Sequence, residues 1–156
     1  MIIDAAVLSV HAGATLAMMG LIWFVQIVHY PLYPKVGEEG FTEYERAHTR
    51  RTGFVVLPLM ATELCAVAIL CFLLPANVAP ALIWTGLALV VLIWVSTFGV
   101  QVPLHMRLER SWDSATARRL VFTNWVRTLA WSARGVIALV MIVQSMTGQA
   151  NTGGAA

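Results

Sequence analysis

The chain has 156 residues, 59% of them hydrophobic and 12% charged, with a net charge of +2 and a mean hydropathy of +0.76. A soluble domain carries roughly twice that share of charge, so a water-soluble globule is excluded, and no basic cluster interleaved with aromatics offers a surface for nucleic acid. A bilayer span takes about 20 apolar residues, so four spans with short links use most of the chain. The expected fold is all-α: a single four-span transmembrane domain over residues 1–147, an up-down-up-down four-helix bundle, followed by a small, polar, disordered tail at 148–156.

The start, Met1-Ile2-Ile3-Asp4, lacks the basic residues of a signal peptide and runs into a long apolar segment, which reads as a retained span over residues 5–28. It ends at His29-Tyr30-Pro31-Leu32-Tyr33-Pro34, where two prolines stop the helix. Gly13, Ala17 and Gly20 allow close helix contact within it. The polar stretch 35–52 contains a short interfacial helix over 42–51. The second span covers residues 53–74, and Pro58 should kink it near Glu63 and open a cavity there. Cys65 and Cys71 lie six positions apart on this span, point to different sides and do not bridge. A tight link at 75–79 leads to the third span, 80–102, then a polar stretch, 105–119, and the fourth span, 120–146.

Arginine and lysine orient the bundle. Lys35, Arg46, Arg50 and Arg51 follow span one, and Arg107, Arg110, Arg118 and Arg119 follow span three. The remaining link and both termini have none. The positive-inside rule therefore puts both polar stretches in the cytoplasm and both termini outside, in a cytoplasmic (inner) cell membrane. The segments Val25-Gln26-Ile27-Val28-His29 and Val100-Gln101-Val102-Pro103-Leu104-His105 echo each other at the ends of spans one and three. Each places a Gln and then a His at the same end, as a repeat of two hairpins would.

Ionisable groups inside a bilayer face the bundle interior and find partners. Counted from the cytoplasmic side, Glu63 and Arg134 reach similar depth, which predicts a buried ion pair. Asn124, Arg127, Trp131 and Arg134 recur at helical spacing and form one inward stripe of span four. His29, His48 and His105 gather at the cytoplasmic end, while His11 lies alone near the outer face. Glu45 and His48 share a helix face in an E-x-x-H spacing, as in carboxylate-bridged metal bundles. His29, His48, His105 and Glu45 thus form a candidate metal site suited to a single Zn or Fe. Haem is the weaker alternative, since no C-x-x-C-H is present, and a site without cofactor is the other. Tyr30, Tyr33, Tyr44, Trp112 and Trp125 read as an interfacial aromatic belt.

The residues from Val100 to His105, Trp112-Asp113, and Asn124-Trp125-Val126-Arg127-Thr128 resemble the DUF1772 or anthrone oxygenase-like four-span membrane proteins. Those end span three in a V-N-V-P-L-N type motif and begin span four with W-N-x-x-R-T. Asn124, Arg127 and Thr128 match directly, and Gln101 and His105 stand where the family has asparagines. The resemblance covers the last third of the chain and, in layout, the first half. It implies a small membrane oxygenase-like fold.

Three functional readings follow. The first is a membrane oxidoreductase or oxygenase-like protein acting on a lipophilic aromatic or quinone-like molecule that enters from the bilayer. Its catalytic residues would be His105, Arg127, His29 and Asn124, and Gln26, Gln101, Glu63, Arg134 and Trp131 would bind substrate. The second is a non-enzymatic accessory subunit or binding protein, with a membrane-complex partner or a homo-oligomer. The third is a small transporter gated by Glu63 and Arg134.

Overall fold

The computed structural model describes the backbone of residues 2–153 and the side chains of residues 3–148. Helix α1 spans Ile2–Phe24 and continues through a π-helical turn, Val25–His29, into a 3-10 segment, Tyr30–Lys35. Helix α2 runs unbroken over Glu38–Leu73. Helix α3, Pro80–Ser96, passes through a second π-helical turn, Thr97–Gln101, into α4, Val102–Leu108. Helix α5 covers Ser114–Gly153. No strand occurs among the described residues.

These helices make four rods long and apolar enough to cross a membrane: Ile3–Lys35, Glu38–Leu73, Pro80–Leu108 and Ser114–Gly148. Their outward faces carry large apolar side chains, with Phe72 at 87% exposure, Phe122 at 78% and Phe54 at 77%. Their inward faces bury His11, Gln26, Glu45, Glu63, Gln101, Asn124, Arg127 and Arg134. An apolar exterior around a polar interior is stable against lipid and costly against water, and it fits a multi-pass membrane protein.

The elements begin and end for local reasons. Gly37, at φ 87°, joins the 3-10 segment to α2 in a backbone region that side chains disfavour. Leu74 closes α2 in the left-handed conformation, with its N–H bonded to the Leu70 carbonyl. Val78 then bonds back to Pro75 in the short link. Asp113 precedes α5 and accepts hydrogen bonds from the backbone N–H groups of Ala115 and Thr116 and from the Thr116 hydroxyl. These bonds hold its carboxyl below the usual carboxylate range, as at a helix N-cap.

The core is three stacked apolar layers. One end packs Val25, Tyr30, Tyr33, Phe41, Leu104, Leu108, Ala117 and Leu120. The middle packs Met18, Ile22, Met60, Ile93, Ala130 and Trp131. The opposite end packs Leu8, Leu70, Val78, Ile83 and Met141. The first is called the polar end below, because both arginine-rich stretches lie there.

Several expectations are corrected. The separate interfacial helix at 42–51 is the opening of α2, since no proline or glycine signal interrupts residues 42–51. The helix α5 runs through Gly153, and residues 154–156 of the expected tail lie outside the described residues. Pro58 sits within the continuous α2. Cys65 and Cys71 are both free thiols, in line with their spacing.

Candidate functional site

The polar end holds a hydrogen-bonded chain that crosses three elements. Glu45, on α2 and fully buried, meets His105 of α4, whose Nδ1 lies 2.5 Å from Glu45 Oε1. His105 Nε2 is 3.0 Å from the Tyr30 hydroxyl at the end of rod one. A carboxylate facing Nδ1 favours the tautomer with Nδ1–H, which leaves Nε2 as the acceptor for the Tyr30 O–H. The guanidinium of Arg127 lies against the same hydroxyl. The sequence is thus carboxylate, imidazole, phenol, guanidinium.

A second string fixes Arg127. Its Nη1 donates to Asn124 Oδ1 at 3.1 Å, Asn124 Nδ2 donates to Gln26 Oε1 at 2.9 Å, and Gln26 Nε2 donates to the Val121 carbonyl at 3.2 Å. Gln101 Nε2 donates to Thr123 Oγ1 at 2.9 Å. Both glutamines lie inside the two π-helical turns, Gln26 in Val25–His29 and Gln101 in Thr97–Gln101. In each, the next backbone N–H bonds five residues back, Tyr30 to Val25 and Val102 to Thr97. Wide turns of this kind concentrate at functional sites. The echo seen in the sequence is therefore an echo in backbone geometry, with both glutamines bonded to neighbouring positions of α5.

Next to the chain lies a cavity of about 250 Å³, just below the range of about 300–1,000 Å³ usual for small-molecule sites. Leu21, Ile22, Val56, Leu57 and Met60 form apolar walls, facing Phe98, Val102 and Met106. Tyr30, His48, Gln101, His105 and Arg127 supply its polar head. Phe98, Leu57 and Met106 are about half exposed, so the mouth opens sideways between α2 and the α3–α4 rod.

Of the residues singled out in the sequence, His48, Gln101, His105 and Arg127 line the cavity, while Gln26 and Asn124 are bonded in series to Arg127. His29 stacks on His48, with ring centroids 4.2 Å apart. Glu63, Arg134 and Trp131 do not line it. The cavity itself sits nearer the polar end than the expected position beside Glu63.

His29, His48, His105 and Glu45 do gather, yet no group of three His, Cys, Asp or Glu among the described residues is arranged to hold a metal ion. The His29 and His48 rings are stacked rather than aimed at one point, and His48 Nδ1 is 3.2 Å from Thr52 Oγ1. Both nitrogens of His105 face protein partners.

The deeper layer contains the predicted pair. Arg134 is ion-paired with Glu63 and donates to the Gly86 carbonyl. His11 completes it, with Nε2 2.9 Å from Arg134 Nη2 and 3.5 Å from Glu63 Oε1. His11 is thus a member of this cluster and not a solitary outer histidine. Tyr30 was the other residue missed, because tyrosine at a span end reads as part of an aromatic belt. Its place four residues beyond Gln26 and next to His29 was the available signal.

No protein-family model, curated protein or solved structure matches the chain.

Proposed function

We propose that this chain is an up-down-up-down membrane bundle with both polar stretches in the cytoplasm and both termini outside. Its cavity takes a lipophilic aromatic or quinone-like molecule from the bilayer and exchanges a proton with it. The observation that carries this reading is a sideways-open apolar cavity ending on the Glu45–His105–Tyr30 chain. Tyr30 accepts a proton from the ligand as its own passes to His105 Nε2, and Glu45 balances the imidazolium that forms. Arg127 faces the oxygen on which negative charge develops.

The resemblance to anthrone oxygenase-like proteins supports an oxidative outcome. An anthrone loses a proton to give an enolate, and dioxygen converts that enolate to the quinone with release of water. The apolar layer of Met18, Ile22, Met60, Ile93 and Trp131 separates the two polar clusters, which weighs against a polar transport path. The Glu63–Arg134–His11 cluster reads as structural.

The test is oxygen consumption and quinone absorbance with an anthrone and purified protein in nanodiscs. General acid–base groups contribute about 10²–10⁴-fold to rate, so His105→Ala and Tyr30→Phe should each lose activity on that scale while staying folded. Turnover by wild type that is unchanged in both variants removes the relay from the mechanism.

A further inference from the structure

Two arginines lie buried on α5, seven residues and two helical turns apart, and their surroundings differ in one decisive way. Arg134, 1% exposed, has the Glu63 carboxylate against it and does not line the cavity. Arg127, 6% exposed, lines the cavity and makes no ion pair among the described residues. Its Nη1 is held by the neutral Asn124, and its Nε has no hydrogen-bond partner. Glu45 is occupied by His105 on the far side of Tyr30, and Glu109, at the rim, accepts a hydrogen bond from Thr49 at 2.6 Å.

A guanidinium stays charged throughout the physiological range, and a buried charge without a counter-charge is costly. The chain meets that demand at Arg134 with its own carboxylate. Arg127 lines the cavity at its polar head beside the neutral Tyr30 hydroxyl, and neither Glu45 nor Glu109 is paired with it. Resting on the cavity reading given above, we propose that the ligand is an acid bound as its anion. It is an apolar body carrying one ionised oxygen head, carboxylate or acidic phenol, that neutralises Arg127. The Asn124–Gln26 string holds the guanidinium through Nη1, and the N–H edge of a guanidinium suits paired oxygens.

The experiment uses the full chain in nanodiscs of zwitterionic lipid at neutral pH, with three fluorescent or absorbing probes. These are 2-naphthoate, the uncharged 2-naphthamide, and 2,4-dinitro-1-naphtholate as an ionised phenol. A charge-assisted contact strengthens binding by about 10- to 100-fold, so at least one anion should bind wild type tighter than the amide by that margin. The stronger of the two anions assigns the head as carboxylate or phenolate. Arg127→Gln should erase the preference while still binding the amide, and Arg127→Lys should keep part of it. Equal affinity of wild type for all three probes, or a preference that survives in Arg127→Gln, overturns the proposal alone. Failure of every probe to bind overturns the cavity reading together with it. The wild-type comparison decides the matter even if Arg127→Gln does not fold.

Discussion

Replacing Glu63 by Gln leaves the Arg134 guanidinium buried with only neutral partners, the Gly86 carbonyl, His11 Nε2 and the new amide oxygen. Breaking a buried ion pair from one side costs about 3–5 kcal/mol, because the remaining charge is uncompensated. Arg134→Met strands the Glu63 carboxylate in the same way and should cost about as much. The double variant removes both charges. It leaves the Gly86 carbonyl and His11 without their donor, a loss of about 1–3 kcal/mol for an unsatisfied buried group. The double variant should therefore be more stable than either single one, and far more stable than the sum of their losses predicts. Unfolding of all four proteins in mixed micelles, followed by tryptophan fluorescence and helical circular dichroism, reads this directly. Additive losses, with the double variant the least stable, would refute the claim that these two charges compensate each other in the bundle interior.

Two further outcomes follow from geometry elsewhere. Gly53 lines the cavity, and a Cβ placed on it meets nothing within 4 Å. Gly53→Phe should thus fill the mouth and abolish probe binding. It should also preserve or raise stability, since glycine inside a helix costs about 0.5–1 kcal/mol relative to alanine; retained binding would show that ligands do not enter there. Asp113→Ala should destabilise the protein at neutral pH. The folded-state carboxyl titrates below its ordinary range, so its contribution is present above about pH 4 and fades as pH falls through the folded value. The gap between wild type and variant should close in acid, and a gap independent of pH would contradict the capping role.

The four rods could be read from the sequence because lipid imposes a simple rule on composition and length. Glu63 and Arg134 were found by counting helical rise, which needs only the spans to be regular. How the residues of the metal set pair with one another is something composition does not encode. Glu45 shares a face with His48 on one helix, but its carboxylate reaches across to His105, and His48 stacks on His29 instead. His11 was missed because it was placed alone near the outer face; its partners Arg134 and Glu63 come from two other helices, and spacing within one helix does not encode which faces meet. Tyr30 was hidden because tyrosine at a span end reads as part of an aromatic belt, and nothing local marks the π-helical turn before it, with one residue more than an α-turn.

That extra residue has a consequence for how the molecule tolerates change in chain length. Each wide turn acts as an angular offset: everything beyond it is rotated by about 100° relative to a plain α-helix. Tyr30 follows the first offset and His105 the second, so the bond between them depends on two insertions agreeing. Loss of a single residue such as Ile27 would leave rod one long enough to cross the bilayer. It would nonetheless swing Tyr30 out of line with His105 and Arg127. The polar end is therefore sensitive to insertions and deletions at a place where hydropathy alone would register no difference.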